Sequence, residues 1–164
     1  MLMNGANLPI LLSGNCFLNK KSVINRKLLS LFGGALAKSI LIIDDDVSLR
    51  SLLKDIFEYA NYKVYLACNG KEGVESYRRI TTDIVLTDMY MPEKDGLETI
   101  REIKKEFPEA KIIAMSGVYK GGDDFLHMAR NFGAIDSVRK PFKPDDIIRI
   151  VNLTLDGNAS EDAS

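Results

Sequence analysis

The sequence predicts an α/β domain built on a doubly wound parallel sheet of five strands with helices on both faces, and three observations predict it. From Ser39 onward, five short aliphatic runs alternate with stretches of helical periodicity. The first run is continuous in Ile and Leu instead of alternating with polar residues, which is the pattern of a strand buried on both faces. Two of the runs end at carboxylates, and ligands in such sheets sit at the carboxyl ends of the strands.

Each element can be justified in order. Ile40-Leu41-Ile42-Ile43 is the first strand, and Leu49, Leu52, Leu53, Ile56, Phe57 and Ala60 recur with the stripe of an amphipathic helix. A second strand spans about Lys63 to Ala67, and a weaker helix after Gly70 carries Val74 and Tyr77. Ile84-Val85-Leu86 is the third strand. Asp95 is placed to cap a helix lined by Leu97, Ile100, Ile103 and Phe107, and Pro108 stops it. Lys111 to Met115 makes strand four, and Phe125, Met128, Ala129 and Phe132 the next helical stripe, with Gly133 where a left-handed cap is wanted. Ile135 to Val138 is strand five. Pro144, Asp145 and Asp146 then open a last helix carrying Ile147, Ile148 and Val151.

Composition bounds the function. The 164 residues are 46% apolar and 27% charged, the balance of an ordinary globular chain, and 22 basic residues nearly cancel 23 acidic ones. Residues 1–43 hold five cations and no carboxylate, leaving 17 cations against 23 carboxylates, or −6, for the remainder. An acidic domain without a basic stripe excludes direct nucleic-acid binding. Neither uncharged stretch, Met1 to Asn19 or Leu28 to Ala37, reads as a membrane span, the first being broken by polar residues, Gly and Pro and the second too short. Cys16 and Cys68 fit no metal spacing, and Cys68 is expected to pack as a small apolar group; a reducing, cytoplasmic compartment fits this usage.

Three domains of behaviour are expected: an extension over 1–38, a folded domain over 39–155 and a flexible tail over 156–164. The extension lacks acid and could pass as a weak organellar transit peptide, but a disordered segment or a start codon assigned too early suits its lack of periodicity better. The sequon Asn158-Ala159-Ser160 in the tail is too short a match to carry meaning.

The strand ends gather the chemistry. They deliver Asp44 with Asp45, Asp88, Ser116 and Lys140, so that three carboxylates converge beside one hydroxyl and one ammonium. Like charges this close destabilise a fold unless a cation offsets them, and oxygen-only ligands suit magnesium. Asp46 is the carboxylate expected to cap the following helix. His127 is expected at a helix surface.

Four segments now carry a family resemblance. Ile40-Leu41-Ile42-Ile43-Asp44-Asp45-Asp46, Thr87-Asp88-Met89-Tyr90-Met91-Pro92-Glu93-Lys94-Asp95-Gly96, Ala114-Met115-Ser116-Gly117 and Lys140-Pro141-Phe142 resemble the signatures of bacterial response-regulator receiver domains, in the same order. Separations of 43 residues from Asp45 to Asp88, 28 from Asp88 to Ser116 and 24 from Ser116 to Lys140 suit that family.

The resemblance implies a flavodoxin-like receiver fold with strand order 2-1-3-4-5. It implies that Asp88 accepts a phosphoryl group from a sensor histidine kinase or histidine phosphotransfer protein. Asp45, Asp44, Asp88 and the backbone carbonyl of Tyr90 would hold Mg2+, and Lys140 and Ser116 would bind phosphoryl oxygens. It also implies a cis peptide at Lys140-Pro141. The chain departs from the family at Ser137, where many relatives carry an aromatic switch residue, so the output is expected to rest on the loop bracketed by Gly117, Gly121 and Gly122 and on the helix after it. Tyr90 and Val118 stand where short polar side chains admit water in fast self-hydrolysing relatives, and a long-lived phosphoryl group is therefore expected.

The expected function is that of a stand-alone response regulator, not a turnover enzyme, which signals through contact with a downstream protein or with a second copy of itself. Two other classes remain as expectations to be tested. Asp44-Asp45-Asp46-Val47 also fits the start of a haloacid-dehalogenase-type phosphatase, though Asp123-Asp124 then falls before Lys140 instead of after it and Asp88 is left without a role. A phosphorylation-independent binding module would need none of the acidic set.

Overall fold

The structure is a computed structural model and describes residues 37–117 and 122–157. The expectations for the extension before residue 37, for Cys16, Val118 and Gly121, and for the tail after residue 157 lie outside the described residues. Among the described residues five strands and five helices alternate: β1 (Ser39–Ile43), α1 (Val47–Tyr59), β2 (Lys63–Ala67), α2 (Gly70–Ile80), β3 (Ile84–Asp88), α3 (Gly96–Glu106), β4 (Ile112–Ser116), α4 (Gly122–Asn131), β5 (Asp136–Arg139) and α5 (Pro144–Asp156). All neighbouring strands are parallel, in the order β2-β1-β3-β4-β5.

The two-residue repeat of a strand explains why the apolar runs are continuous. Leu41, Ile43, Val85, Ile112 and Ala114 face Val74 and Tyr77 of α2, Ile100 and Ile103 of α3 and Ala129 of α4. Ile40, Ile42, Ile84, Leu86, Ile113 and Met115 face the opposite way, onto Leu53 and Phe57 of α1 and Ile147 and Val151 of α5. Most of these side chains are wholly removed from solvent, each contributing roughly 1.5–3 kcal/mol of transfer free energy. Both faces are therefore core, and polar chemistry is left to the strand ends.

Helix ends follow local rules. Asp46 caps α1 by accepting from the Ser48 and Leu49 amides at 2.8 and 3.1 Å, and Asp95 caps α3 by accepting from Glu98 at 2.8 Å. Asn69 caps α2 through the Glu72 amide at 2.8 Å, while the Glu72 carboxylate returns to the Cys68 amide at 2.7 Å. Gly133 has φ +106°, the left-handed turn its position requires.

Several details differ from the sequence reading. β4 starts one residue late and runs on to Ser116; the Lys111 carbonyl still accepts from the Val85 amide of β3 at 2.9 Å, while its ammonium donates to the Thr154 and Leu155 carbonyls at the end of α5. β5 is likewise shifted by one residue. Leu52 and Met128 belong to the periodic stripes of α1 and α4 yet are 53% and 39% exposed, at the rims of their contact faces, and Phe132, 39% exposed, lies just past the end of α4. Cys68 is exposed instead of packed, since β2 ends at Ala67 and the cysteine begins the turn into α2. His127 is exposed on α4.

Candidate functional site

Parallel strands that share a register end together, so the residues just past β1 and β3 meet. Asp44 follows β1 and is fully buried, Asp45 beside it is exposed, and Asp88 closes β3 with 6% exposure. One carboxylate oxygen from each of the three lies within 4.8 Å of the others. Lys140 follows β5 and crosses to both buried members, its Nζ 2.7 Å from Asp44 Oδ2 and 2.8 Å from Asp88 Oδ1.

Backbone bonds fix this arrangement. The Asp44 amide donates to the Ala67 carbonyl at 3.2 Å, the Asp46 amide to Asp44 Oδ1 at 2.9 Å, and the Lys140 amide to the Ser116 carbonyl at 2.7 Å. The Lys140-Pro141 peptide is cis. Ser116, at the end of β4, is 1% exposed, and its hydroxyl donates to the Gly117 carbonyl at 3.3 Å. That is long for a hydroxyl bond and is easily exchanged for a better acceptor. Tyr90 lies two residues past Asp88 and is 37% exposed, and Ser137 sits mid-β5 opposite Ala114.

The electrostatics follow from burial and pairing. Burial pushes the Asp88 carboxyl above the usual carboxylate range; the hydrogen bond and charge of Lys140 hold it back, while the charge of Asp44 adds to the rise. For Lys140, burial works to lower the ammonium's value, but the hydrogen bonds and charges of Asp44 and Asp88 more than offset it and keep the group protonated. Three carboxylates against one ammonium leave the cluster short of positive charge. The donor set is oxygen only and two of its three members are buried, a combination that fits a hard divalent cation such as Mg2+.

Some contributors are invisible to motif reasoning. The Arg50 guanidinium, six residues on in α1, donates to the Asp44 carbonyl at 2.5 Å, and the Thr87 hydroxyl donates to the Asp88 carbonyl at 3.1 Å. A Cβ at Gly96 would overlap the Asp88 carbonyl oxygen, so α3 starts directly against the acidic residue. Its place after the capping Asp95 was the signal available for this approach.

The comparisons agree with the geometry. Residues 40–152 match the family model of the response regulator receiver domain. The chain is 41% identical over 118 residues to the chemotaxis protein CheY of Thermotoga maritima, covering 71% of this chain and 97% of that protein. It is 31% identical over 110 residues to the sporulation initiation phosphotransferase F of Bacillus subtilis, covering 67% and 87%. Among solved structures, a response regulator receiver domain protein from Clostridium thermocellum superposes with a TM-score of 0.69 at 31% identity, covering 74% of this chain and 96% of that one. No helix among the described residues is long and apolar enough to cross a membrane.

Proposed function

Because this chain belongs to the response regulator receiver domain family, we propose that it is a phosphorylation-controlled signalling protein in which Asp88 is the phosphoacceptor. The observation that carries the reading is the convergence of Asp44, Asp45 and Asp88 on Lys140, with both buried carboxylates bonded to its ammonium. An oxygen of the ionised Asp88 attacks the phosphorus of a phosphohistidine on a kinase or phosphotransfer protein. The new O–P bond forms as the P–N bond breaks, and the imidazole leaves with the electron pair and takes up a proton from solvent.

Asp44, Asp45, Asp88 and the Tyr90 carbonyl would hold Mg2+, which when bound neutralises charge on the transferring phosphoryl group. The rest falls to this chain's own side chains. Once Asp88 is converted to an acyl phosphate its negative charge lies on the phosphoryl oxygens, and the ammonium of Lys140 pairs with one of them instead. The Ser116 hydroxyl gives up its long bond to Gly117 for a second phosphoryl oxygen, drawing the loop after β4 with it. A changed protein-binding surface is the output, with a downstream protein or a second copy as its partner, and a cytoplasmic location belongs to this reading.

The test is incubation with Mg2+ and acetyl phosphate, read by intact mass. One added phosphoryl group on the wild type and none on Asp88→Asn is expected. Labelling that survives the substitution overturns the assignment, and catalytic turnover of phosphomonoesters lost in Asp44→Asn would point to a phosphatase instead.

A further inference from the structure

The loop from Asp88 to Gly96 carries the Tyr90 carbonyl, and its two ends are fixed by the backbone. The Met89 amide donates to the Met115 carbonyl at 2.9 Å, and the Gly96 amide to the Met89 carbonyl at 3.1 Å. Its middle is different. Glu93 has φ +69°, the left-handed region, which a side-chain-bearing residue keeps only where its surroundings over-determine it. Within the loop, the Lys94 amide donates to the Pro92 carbonyl at 2.8 Å, a local turn that does not tie the segment to the rest of the domain.

Met91 is buried in the core, and the polar side of the loop is tied by a chain of charges that leaves the motif through Lys94. The Lys94 ammonium pairs with one oxygen of Glu102 in α3, and the other oxygen of Glu102 takes Arg78 of α2 at 2.8 Å. Arg78 also pairs with Glu106 through two nitrogens, one of them Nε at 2.9 Å. Lys94 is thus anchored to a carboxylate that is itself fixed between two helices. Its side chain is 20% exposed and that of Glu102 33%, against 40% and 47% for the isolated surface pair Lys54–Glu58. On the same side, the backbone of Gly70 approaches so closely that a Cβ there would stand 2.7 Å from the Lys94 carbonyl oxygen. Two cations and two carboxylates close the network without residual charge.

We propose that Lys94 is a positioning residue: through Glu102 and Arg78 it holds the Asp88–Gly96 loop so that the Tyr90 carbonyl stays where a divalent cation among Asp44, Asp45 and Asp88 can use it. This rests on the receiver reading above. Removing the clamp lets the loop relax around Glu93, and the cost appears in cation affinity and not in the chemistry of Asp88.

The experiment is calorimetric titration of Mg2+ into the full chain, comparing wild type with Lys94→Met, Glu102→Gln, Lys94→Arg and the control Lys54→Met. The Mg2+ dissociation constant should rise roughly three- to tenfold in Lys94→Met and Glu102→Gln, less than the ~10- to 100-fold typical of groups bonded directly to a metal ligand. Lys94→Arg should restore it, and Lys54→Met should leave it unchanged. With acetyl phosphate, the Mg2+ concentration giving half-maximal labelling should rise in Lys94→Met while the rate at saturating Mg2+ stays within about twofold of wild type, as loss of ground-state binding alone requires. An unchanged dissociation constant in Lys94→Met, or an equal change in Lys54→Met, overturns the proposal. A wild type that binds Mg2+ but is not labelled at Asp88 refutes the receiver reading, while the titrations still decide the role of Lys94.

Discussion

Lys140→Met keeps most of the unbranched side chain and removes the ammonium with its charge and hydrogen bonds, which isolates what that group does for the unphosphorylated fold. Its Nζ contacts Asp44 and Asp88 at 2.7 and 2.8 Å, and those carboxylates are 0% and 8% exposed at the side chain. Breaking a buried pair by removing one partner costs ~3–5 kcal/mol, because the other charge stays buried without compensation. A fifth of the Lys140 side chain reaches solvent, which puts the expected loss near the low end, about 3 kcal/mol. Two further signs follow. Asp88 already titrates above its unfolded value, so its native carboxylate binds a proton more readily than the unfolded one, and stability falls as pH rises through that window. The substitution raises Asp88 further, so the deficit should shrink as pH falls. Mg2+ should also restore the variant more than it stabilises the wild type, since a ligand at a hundred times its dissociation constant adds ~2.7 kcal/mol and no longer meets a competing ammonium. The chain has no tryptophan, so urea unfolding is followed by far-UV circular dichroism, with and without Mg2+ and at two pH values. A deficit under about 1 kcal/mol in the absence of Mg2+, or one that Mg2+ leaves unchanged, would refute the reasoning.

Three further outcomes are expected. In the absence of Mg2+ the Asp88 carboxyl, followed by carbon-13 resonance, should titrate with a midpoint above the ordinary carboxylate range, because burial raises its value; a midpoint at or below that range counts against this. Gly96→Ala should cost far more stability than Gly157→Ala: the first must displace the Asp88 backbone, whereas the second meets no atom within 4 Å and bears only the left-handed penalty of about 1 kcal/mol. Equal losses would show that the close approach is not what Gly96 provides. The isolated phosphoprotein in Mg2+ should keep its phosphoryl group well beyond seconds, Tyr90 being bulky where fast relatives carry small polar groups; decay within seconds sinks that expectation.

The fold was largely legible because a strand buried on both faces leaves a mark that a half-buried strand does not. Ile40 to Ile43 and Ile84 to Leu86 could be read as interior strands from their continuity alone, and Asp95, Pro108, Gly133 and Pro144 punctuated the helices by local chemistry. The helix faces were less legible. Leu52 shares the period of Leu49 and Ile56 but lies at the rim of their stripe, and periodicity does not report how wide the facing surface is. The acidic cluster followed from topology, since parallel strands bring their ends to one side. The contacts of Arg50 and Thr87 with backbone carbonyls, and the Lys94–Glu102–Arg78 chain, did not follow. They join residues by three-dimensional proximity of long side chains, for which a single sequence carries no register.

Ser137 sharpens what a switch in this chain has to do. On the proposed reading a signal leaving Asp88 has two carriers, Lys140 and Ser116, and these are joined by the bond from the Lys140 amide to the Ser116 carbonyl at 2.7 Å. Lys140 is held by two carboxylates, and on the proposed reading it loses one partner and gains a phosphoryl oxygen, so its net displacement is small. Ser116 is held at its hydroxyl by one long bond, and it gains a charged acceptor where it had a neutral one. The asymmetry puts the movement on Ser116 and on Gly117, which accepts that bond and opens the loop after β4. Mid-strand, Ser137 offers no ring to fill the space such a movement vacates, so nothing bulky on β5 latches it. The phosphorylated state is then held mainly by hydrogen bonds to the phosphoryl group itself, a few kcal/mol in all. Ser116→Ala should accordingly accept the phosphoryl group on Asp88 yet fail to shift the amide resonances of α4, and a wild-type-sized shift in that variant would return the switch to Lys140.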